Sequence, residues 1–417
     1  MKLYVQNIAK IESAEVAVDG ISVLAGYNAT GKSTISKSLS GIIRAYTNIH
    51  QRAELSQFRS VDSVMDSFIE EIIPEESVFA YDNGSLIQDL LSRKTHLPTS
   101  YQSFQQLYLS YVPDLSEEFP KPSLEIEEHY QAFAGQMQKT LKRPVDEHIQ
   151  FLVEASIRDA FDGQINTLGH SSIGSITLCS DNGAVICHTE WIGNRIVDCS
   201  YQNIKESLPI YLEPKHALDE LPNNPANRYR SKRSREPLVN FLLAHDAANL
   251  ENRTIEDQER SERVIAIINE AIRGGLVENG SSLQYMDEQF SLISLKNLAS
   301  GNKTFAVIRR LLENGQFYKN HTLIIDEPEV NLHPAWQLTL ANVLVILHKE
   351  LGLKIFLNSH SPYFVRAVEV YSQRCEIADR CHFYQTRPGN HGMYQVVDVT
   401  GNTEQIFRDL YLPLEEL

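Results

Sequence analysis

The chain has 417 residues, 42% of them hydrophobic and 22% charged, which is enough apolar material to bury a large core as one or two globular lobes. Its longest purely apolar runs, such as Val343-Leu344-Val345-Ile346-Leu347, are far shorter than the about 18 residues of a membrane span, and Met1-Lys2-Leu3-Tyr4 opens into a strand pattern rather than a signal peptide, so the expectation is a cytoplasmic protein with no membrane partner. A net charge of −16 opposes indiscriminate binding to nucleic acid and restricts any such contact to a local basic patch.

Residues 1 to 25 alternate apolar and polar positions around Leu3, Val5, Val16, Val18 and Val23, which predicts short antiparallel strands. The run Ile21-Ser22-Val23-Leu24-Ala25 reads as a buried strand. It leads into Gly26-Tyr27-Asn28-Ala29-Thr30-Gly31-Lys32-Ser33-Thr34, which fits G-x-x-x-x-G-K-[ST]. Apolar residues then recur at helical spacing at Ile35, Leu39, Ile42, Ile43 and Tyr46, so the motif sits between a strand and a helix as a phosphate loop must. Its glycines, Gly26 and Gly31, let backbone N–H groups of the loop, including those of Asn28, Ala29 and Thr30, close on phosphate oxygens, and the helix start through Thr34 adds a positive dipole end. Lys32 supplies a point charge for the β and γ phosphates of ATP, and Ser33 can ligate Mg²⁺.

The helix is expected to end near residue 50 and a short strand to follow at 75–82, closed by the turn Asp82-Asn83-Gly84. From 85 to 165 the pattern is helical, interrupted by prolines at 98, 113, 120 and 122, with its longest helix near 125–141; no heptad register lasts four repeats, so no coiled-coil arm is expected. Residues 175–200 form a predicted β-hairpin turning at Asp181-Asn182-Gly183, and 209–212 a further strand. The stretch 228–235 (Arg-Tyr-Arg-Ser-Lys-Arg-Ser-Arg) is the one strongly basic segment, a candidate phosphate-contacting strip for nucleic acid. Residues 238–273 read as helices. The five cysteines are odd in number and lack C-x-x-C spacing, which argues for reduced thiols rather than a disulfide framework or a zinc knuckle.

Chemistry returns near the end. The strand 321–325 terminates in Asp326-Glu327-Pro328-Glu329, and Asn331-Leu332-His333-Pro334 follows. Beside a phosphate loop, Asp326 can hold Mg²⁺ through water while Glu327 orients or deprotonates an attacking water. A third strand, 354–358, delivers Ser359-His360-Ser361-Pro362; a histidine at the end of a parallel strand points into the ligand crevice, where His360 can donate to the γ phosphate. Upstream, Ala299-Ser300-Gly301-Asn302-Lys303 precedes a helix with Phe305, Ile308, Leu311 and Leu312 on one face, with Ser300 as N-cap, and that helix start is a second anion site. One ATP cannot readily use both helix starts of one chain.

The order of these motifs resembles the ABC-type ATPase heads of the SMC-like superfamily, and more narrowly the bacterial defence ATPases related to the overcoming-lysogenization-defect (OLD) proteins and to the PtuA ATPase of Septu systems. The resemblance covers both ends of the chain, 1–85 and 286–417. It implies an α/β P-loop NTPase head with a mixed central sheet and an antiparallel N-terminal subdomain, interrupted by a mainly helical insertion at 86–285. It assigns Lys32 and Ser33 to nucleotide and Mg²⁺, Ser300 and Gly301 to the signature that meets the partner subunit's γ phosphate, Asp326 to Mg²⁺, Glu327 to the base, His360 to the switch histidine and Asn331-Leu332-His333 to the D-loop. ATP hydrolysis between two heads packed head to tail, in a homodimer or higher oligomer, follows from that assignment. The signature departs from the Leu-Ser-Gly-Gly-Gln of transporters, and no glutamine stands at the expected Q-loop near 81–84, where Asp82 or Asn83 are the stand-ins. Nothing after His360 resembles the Toprim nuclease of OLD proteins. The implied function is an ATPase controlling a separately encoded effector, a nuclease or toxin, in anti-phage defence; the alternative is a DNA-binding repair ATPase of the recombination-mediator type, with a transporter ATPase third.

Overall fold

The computed structural model describes residues 1–73, 83–93, 97–165, 172–202, 208–213, 236–243, 250, 254–279, 282–287, 289 and 291–415. The expected strand at 75–82 falls outside this set, with Asn83 and Gly84 of its closing turn inside it, and the whole basic stretch 228–235 falls outside as well. The chain divides into two compact units, Met1–Thr47 with Glu154–Leu417, and Asn48–Val153.

The first unit is built on strands β1 (Lys2–Ile8), β2 (Ile11–Ala17), β3 (Ile21–Ala25), β4 (Gly174–Cys179), β5 (Val185–Ile192), β6 (Arg195–Tyr201), β7 (Ile210–Leu212), β8 (Gly274–Asn279), β9 (Ser282–Asp287), β10 (Ser291–Ser294), β11 (Thr322–Asp326), β12 (Lys354–Ser359), β13 (Cys381–Pro388) and β14 (Tyr394–Asp398). Among the described residues, eleven of them form one sheet in the order β6-β5-β4-β1-β2-β14-β13-β3-β12-β11-β7, while β10-β9-β8 form a small antiparallel sheet. The half from β13 to β7 is parallel. Its strands β3 and β11 are buried at every position, the signature of a sheet covered on both faces. The other half is a mostly antiparallel wing in which β1 alternates, with Leu3, Val5 and Ile8 buried and Lys2 and Gln6 exposed. This is the mixed α/β architecture expected from the sequence.

Register brings the chemistry to one edge. Ala25 lies beside Ser359 on one side and Gln385 on the other, and Asn358 lies beside both Leu24 and Asp326. The carboxyl ends of β3, β12 and β11 therefore finish level with one another. The helices Lys32–Tyr46, Ser300–Glu313, Pro334–Leu351 and Pro362–Arg374 follow the phosphate loop, the signature and the ends of β11 and β12. Pro334–Leu351 contains the apolar run 343–347 and buries Leu340, Val343, Leu344, Val345 and Leu347; it stops at Gly352, whose φ of 68° is the left-handed conformation a glycine C-cap supplies.

The boundary of the insertion differs from the expected 86–285. Strand β4 pairs along the free side of β1, with Val5 opposite Ile176, so the hairpin β4–β5 and its neighbour β6 extend the first unit's sheet. Strand β7 pairs with β11, and the helix Ile255–Ala271 meets Pro334–Leu351, where Arg263 bonds Glu350 at 2.6 Å. Among the described residues of the expected insertion, those up to Val153 belong to a separate unit, Asn48–Val153. It holds helices Ile49–Ile72, Gly84–Arg93, Tyr101–Tyr111 and Leu124–Leu141 around an aromatic core in which Phe68 stacks on Phe133 at 4.2 Å and Tyr101, Phe104, Tyr108 and Tyr130 pack nearby. Asn83 belongs to this core: its amide oxygen accepts from the Tyr108 hydroxyl at 2.6 Å and its nitrogen donates to Asp66 at 2.7 Å. That engagement removes Asn83 as a stand-in for a Q-loop glutamine, and Asp82 lies outside the described residues. All five cysteines are free thiols, and no described helix is long and apolar enough to cross a membrane.

Candidate active site

The loop after β3 is shaped by two glycines that admit no side chain. Gly26 has φ 158°, its N–H donates to the Ser359 carbonyl at 3.3 Å, and an added Cβ would lie 2.1 Å from Thr386 Oγ1. Gly31 has φ 92°, and its Cβ would meet Ile11 Cδ1 at 2.7 Å. Ala29, at φ 63°, turns the same way without that freedom. Thr30 Oγ1 donates to the Tyr27 carbonyl at 2.8 Å and accepts from Thr386 Oγ1 at 2.9 Å, closing the loop against β13, while Tyr27, Asn28 and Ala29 remain exposed.

Helix Lys32–Tyr46 begins with Gly31 as N-cap and no capping side chain; Thr34 N donates to the Gly31 carbonyl at 3.0 Å, and the N–H groups of Lys32 and Ser33 before it are positioned for a ligand. Lys32 is 5% exposed, and its ammonium donates to the carbonyls of Gly26 (2.9 Å) and Tyr27 (2.7 Å). Burial lowers its pKa, against the pull of Glu327, Glu329 and Asp326 in the other direction. Ser33 is exposed and Thr34 buried. A loop pinched by glycines at both ends, a helix start with no capping side chain and a buried ammonium together fit a polyphosphate.

Asp326 ends β11 in a fixed setting. Its Oδ1 accepts from Ser36 Oγ at 2.7 Å and from the Asn358 amide, and its Oδ2 accepts from the Tyr211 hydroxyl at 2.8 Å. The Asn358 amide also donates to Ser36 Oγ at 2.6 Å, which ties β12 to the first helix. Burial, reinforced by the charges of Asp326 and Glu213, pushes the Tyr211 hydroxyl well above the usual range, so it stays protonated and serves as a donor. The direct partner of Asp326 on the helix is thus Ser36, one turn beyond Ser33. A carboxylate offers about four acceptor positions, so these three donors leave room on Oδ2 for a water, the mode of Mg²⁺ contact expected of Asp326.

Glu327 carries a left-handed backbone, φ 47°, which for a non-glycine residue costs about 1 kcal/mol or more. Its N–H is held by the Asn358 carbonyl at 2.9 Å, and its half-buried carboxylate lies 3.7 Å from His360 Nδ1. Glu329 is buried beneath the same histidine: its Oε1 accepts from Ser359 Oγ (2.8 Å), His360 N (2.7 Å) and Ser361 N (3.1 Å), and stands 3.3 Å from His360 Nδ1. Burial raises the Glu329 pKa against the lowering effect of these donors. The residues assigned to catalysis and metal, Asp326, Glu327 and His360, therefore sit on adjoining strand ends next to the loop that carries Lys32 and Ser33.

The second helix start is closed in the same way as the first. Ala299 is the N-cap and Ser300 the first helical residue, because the left-over turn is closed by backbone, Asn302 N to Ala299 O at 3.0 Å, instead of by a side chain. The Ser300 side chain lies outside what is described. Gly301 is tightly packed: a Cβ would come to 3.0 Å from Leu332 Cδ2 and 3.1 Å from Trp336, so this helix start rests on Leu332, in the turn that resembles a D-loop, and on Trp336. In that turn Asn331 has φ 62°, and His333 Nδ1 accepts from Ala335 N at 3.3 Å as the cap of Pro334–Leu351.

The residues that sequence reasoning passed over are Ser36, Tyr211, Asn358 and Glu329. Asn358 and Glu329 stood inside quoted motifs and could have been found from their strand-end positions. Tyr211 is 115 residues from Asp326, and only the pairing of β7 with β11 joins them.

Residues 204–366 match the profile of the family described as "AAA domain, putative AbiEii toxin, Type IV TA system". This stretch includes Ser300, Asp326, Glu327 and His360 but not the phosphate loop. No match is found among curated protein sequences. Among solved structures, the chain is similar to the SMC head domain from Thermotoga maritima (10% identity, 95% of this chain and 98% of that one, TM-score 0.36). It is likewise similar to an SmcHead bound to the C-winged helix domain of ScpA (10% identity, 97% and 98%, TM-score 0.43). The family match, read with the site geometry, supports an AAA-type ATPase domain.

Proposed function

We propose that this chain is an ATP-hydrolysing head that binds ATP and Mg²⁺, pairs head to tail with a second copy and controls a separate effector protein in bacterial anti-phage defence. The observation that carries the catalytic part is the convergence of residues 26–34, Asp326, Glu327 and His360 on the level carboxyl ends of β3, β11 and β12. Lys32, the loop N–H groups and the uncapped helix start hold the phosphates. Ser33 and Asp326 would hold Mg²⁺, which when bound neutralises charge on the β and γ oxygens. Glu327 takes the proton of the attacking water, and His360 donates to the γ phosphate. Ser300 and Gly301 act on the nucleotide of the other subunit.

The effector role draws on the family match and on the helical unit. The matched family's description names a toxin of a toxin–antitoxin system. The helical unit 48–153 carries none of the motifs above, and we assign it the task of passing the nucleotide state to the effector, where a coupling of about 1–3 kcal/mol would change affinity roughly 5- to 150-fold. The reading is tested by mixing Lys32→Ala and Ser300→Arg chains in equal amounts. Each alone is inactive, and the mixture regains part of the ATPase activity, because one composite site per mixed dimer is intact. No recovery, with subunit exchange confirmed by mass, would overturn the head-to-tail arrangement.

A further inference from the structure

Glu329 is left without a task by the mechanism above, yet its setting is more demanding than that of the residues with one. A single oxygen, Oε1, receives the Ser359 hydroxyl and the successive backbone N–H groups of His360 and Ser361, within 3.1 Å. Ser359 ends β12, and His360 and Ser361 are the two residues that follow it. The same oxygen is 3.3 Å from His360 Nδ1. Ser361 is held from its other side as well: its hydroxyl donates to Gln337 Oε1 at 2.7 Å, and the Gln337 amide donates to the Leu332 carbonyl at 3.2 Å, in the turn on which Gly301 packs.

A carboxylate used only as a buried anchor would be expected to satisfy both of its oxygens. Here Glu329 Oε2 and His360 Nδ1 are both buried with no hydrogen-bond partner among the described residues. Orphaned buried polar atoms are destabilising and uncommon, and two of them side by side beneath a catalytic loop indicate a group kept for what it does to its neighbour.

We infer that Glu329 is a positioning residue for His360: it fixes the backbone of residues 359–361 through three donors on one oxygen and thereby sets the imidazole opposite Glu327. This deepens the proposed ATPase reading and rests on it. Without the bracket the loop 359–361 samples other backbone conformations, and the histidine is misplaced in the fraction of molecules that bind ATP. Binding rests chiefly on residues 26–34, which the change does not touch, so the loss falls on kcat far more than on KM.

The test compares ATP hydrolysis and ATP affinity of the full chain with Glu329→Ala, Glu329→Gln, His360→Ala and the double variant Glu329→Ala/His360→Ala. Glu329→Ala lowers kcat by about 10-fold or more with KM within about 3-fold, the split expected when placement and not binding is lost. Glu329→Gln stays within about 3-fold of wild type, because an amide oxygen accepts the same three donors. The double variant is no slower than His360→Ala by more than about 2-fold, since residues that act as a unit are not additive. Wild-type kcat in Glu329→Ala, equal losses in the Gln and Ala variants, or losses that multiply in the double variant would each overturn the inference. Should Glu329→Ala not fold, Ser359→Ala removes one donor from the same oxygen; it lowers kcat non-additively with His360→Ala, and an unchanged kcat counts against the bracket. If the wild-type protein binds ATP without hydrolysing it, the ATPase reading fails separately. The inference is then read from the His360 ring resonance, identified by its loss in His360→Ala: it keeps its position in Glu329→Gln and moves in Glu329→Ala, and a resonance unmoved by either change overturns the bracket.

Discussion

Replacing Asp326 by Ala tests how the acidic strand end is built. The substitution strands three buried donors at once, Ser36 Oγ, the Asn358 amide and the Tyr211 hydroxyl. At about 1 kcal/mol for each donor left unsatisfied, the folded first unit loses roughly 3 kcal/mol, less whatever the removal of one of three neighbouring acids returns. Tyr211→Phe alone costs about 1 kcal/mol, because only one acceptor position on Asp326 falls empty. Placed in the Asp326→Ala background, Tyr211→Phe removes an orphaned hydroxyl and costs nothing or is mildly stabilising, so the cycle gives a coupling of about 1 kcal/mol. The assay is urea unfolding followed by tryptophan fluorescence. Both tryptophans, Trp191 and Trp336, lie in the first unit, so the signal does not mix in the helical unit 48–153. An unchanged midpoint for Asp326→Ala, or full additivity with Tyr211→Phe at an unchanged slope, would refute the reasoning.

Lys32→Ala weakens ATP binding by roughly 10- to 150-fold, the range for losing a charge-assisted hydrogen bond of about 1.5–3 kcal/mol; calorimetry showing unchanged affinity would sink the assignment of the loop. Glu329 supplies a pH prediction. Its carboxyl pKa is raised in the folded state by burial, so its contribution to stability is fully present below the unfolded value of about 4.3 and is lost as pH rises through the raised folded value. Glu329→Gln carries no such charge, and the wild type therefore loses stability relative to that variant as pH climbs from about 4 toward neutrality. Parallel melting curves across that window would contradict the burial of a titrating carboxyl group.

The phosphate loop was legible because its signal is local: consecutive residues, an apolar strand before and helical spacing after. The ends of β11 and β12 were legible for the same reason. What could not be read is what depends on pairing across distance. Strand β4 follows β1 by more than 160 residues and still completes its edge, which moved the hairpin at 175–200 out of the expected insertion. Tyr211 and Ser36 reach Asp326 only because β7 and the first helix flank β11 in space. The cap of Ser300–Glu313 was assigned from residue preference, and serine is favoured there; the backbone turn at Ala299 satisfied the same N–H groups by another route. Asn83 was read from its place in the motif order, whereas the aromatic core of the helical unit claims its amide.

In the proposed ATPase, Glu327 is the base, held 3.7 Å from His360 by a left-handed backbone. The most direct measurement is single-turnover ATP hydrolysis with Glu327→Gln and wild type, alongside ATP affinity for both. Binding within a few-fold of wild type, with hydrolysis slowed by about 10² or more, is the predicted result for loss of a general base. Turnover near the wild-type rate, with ATP bound equally well, would contradict it and assign the proton to another group.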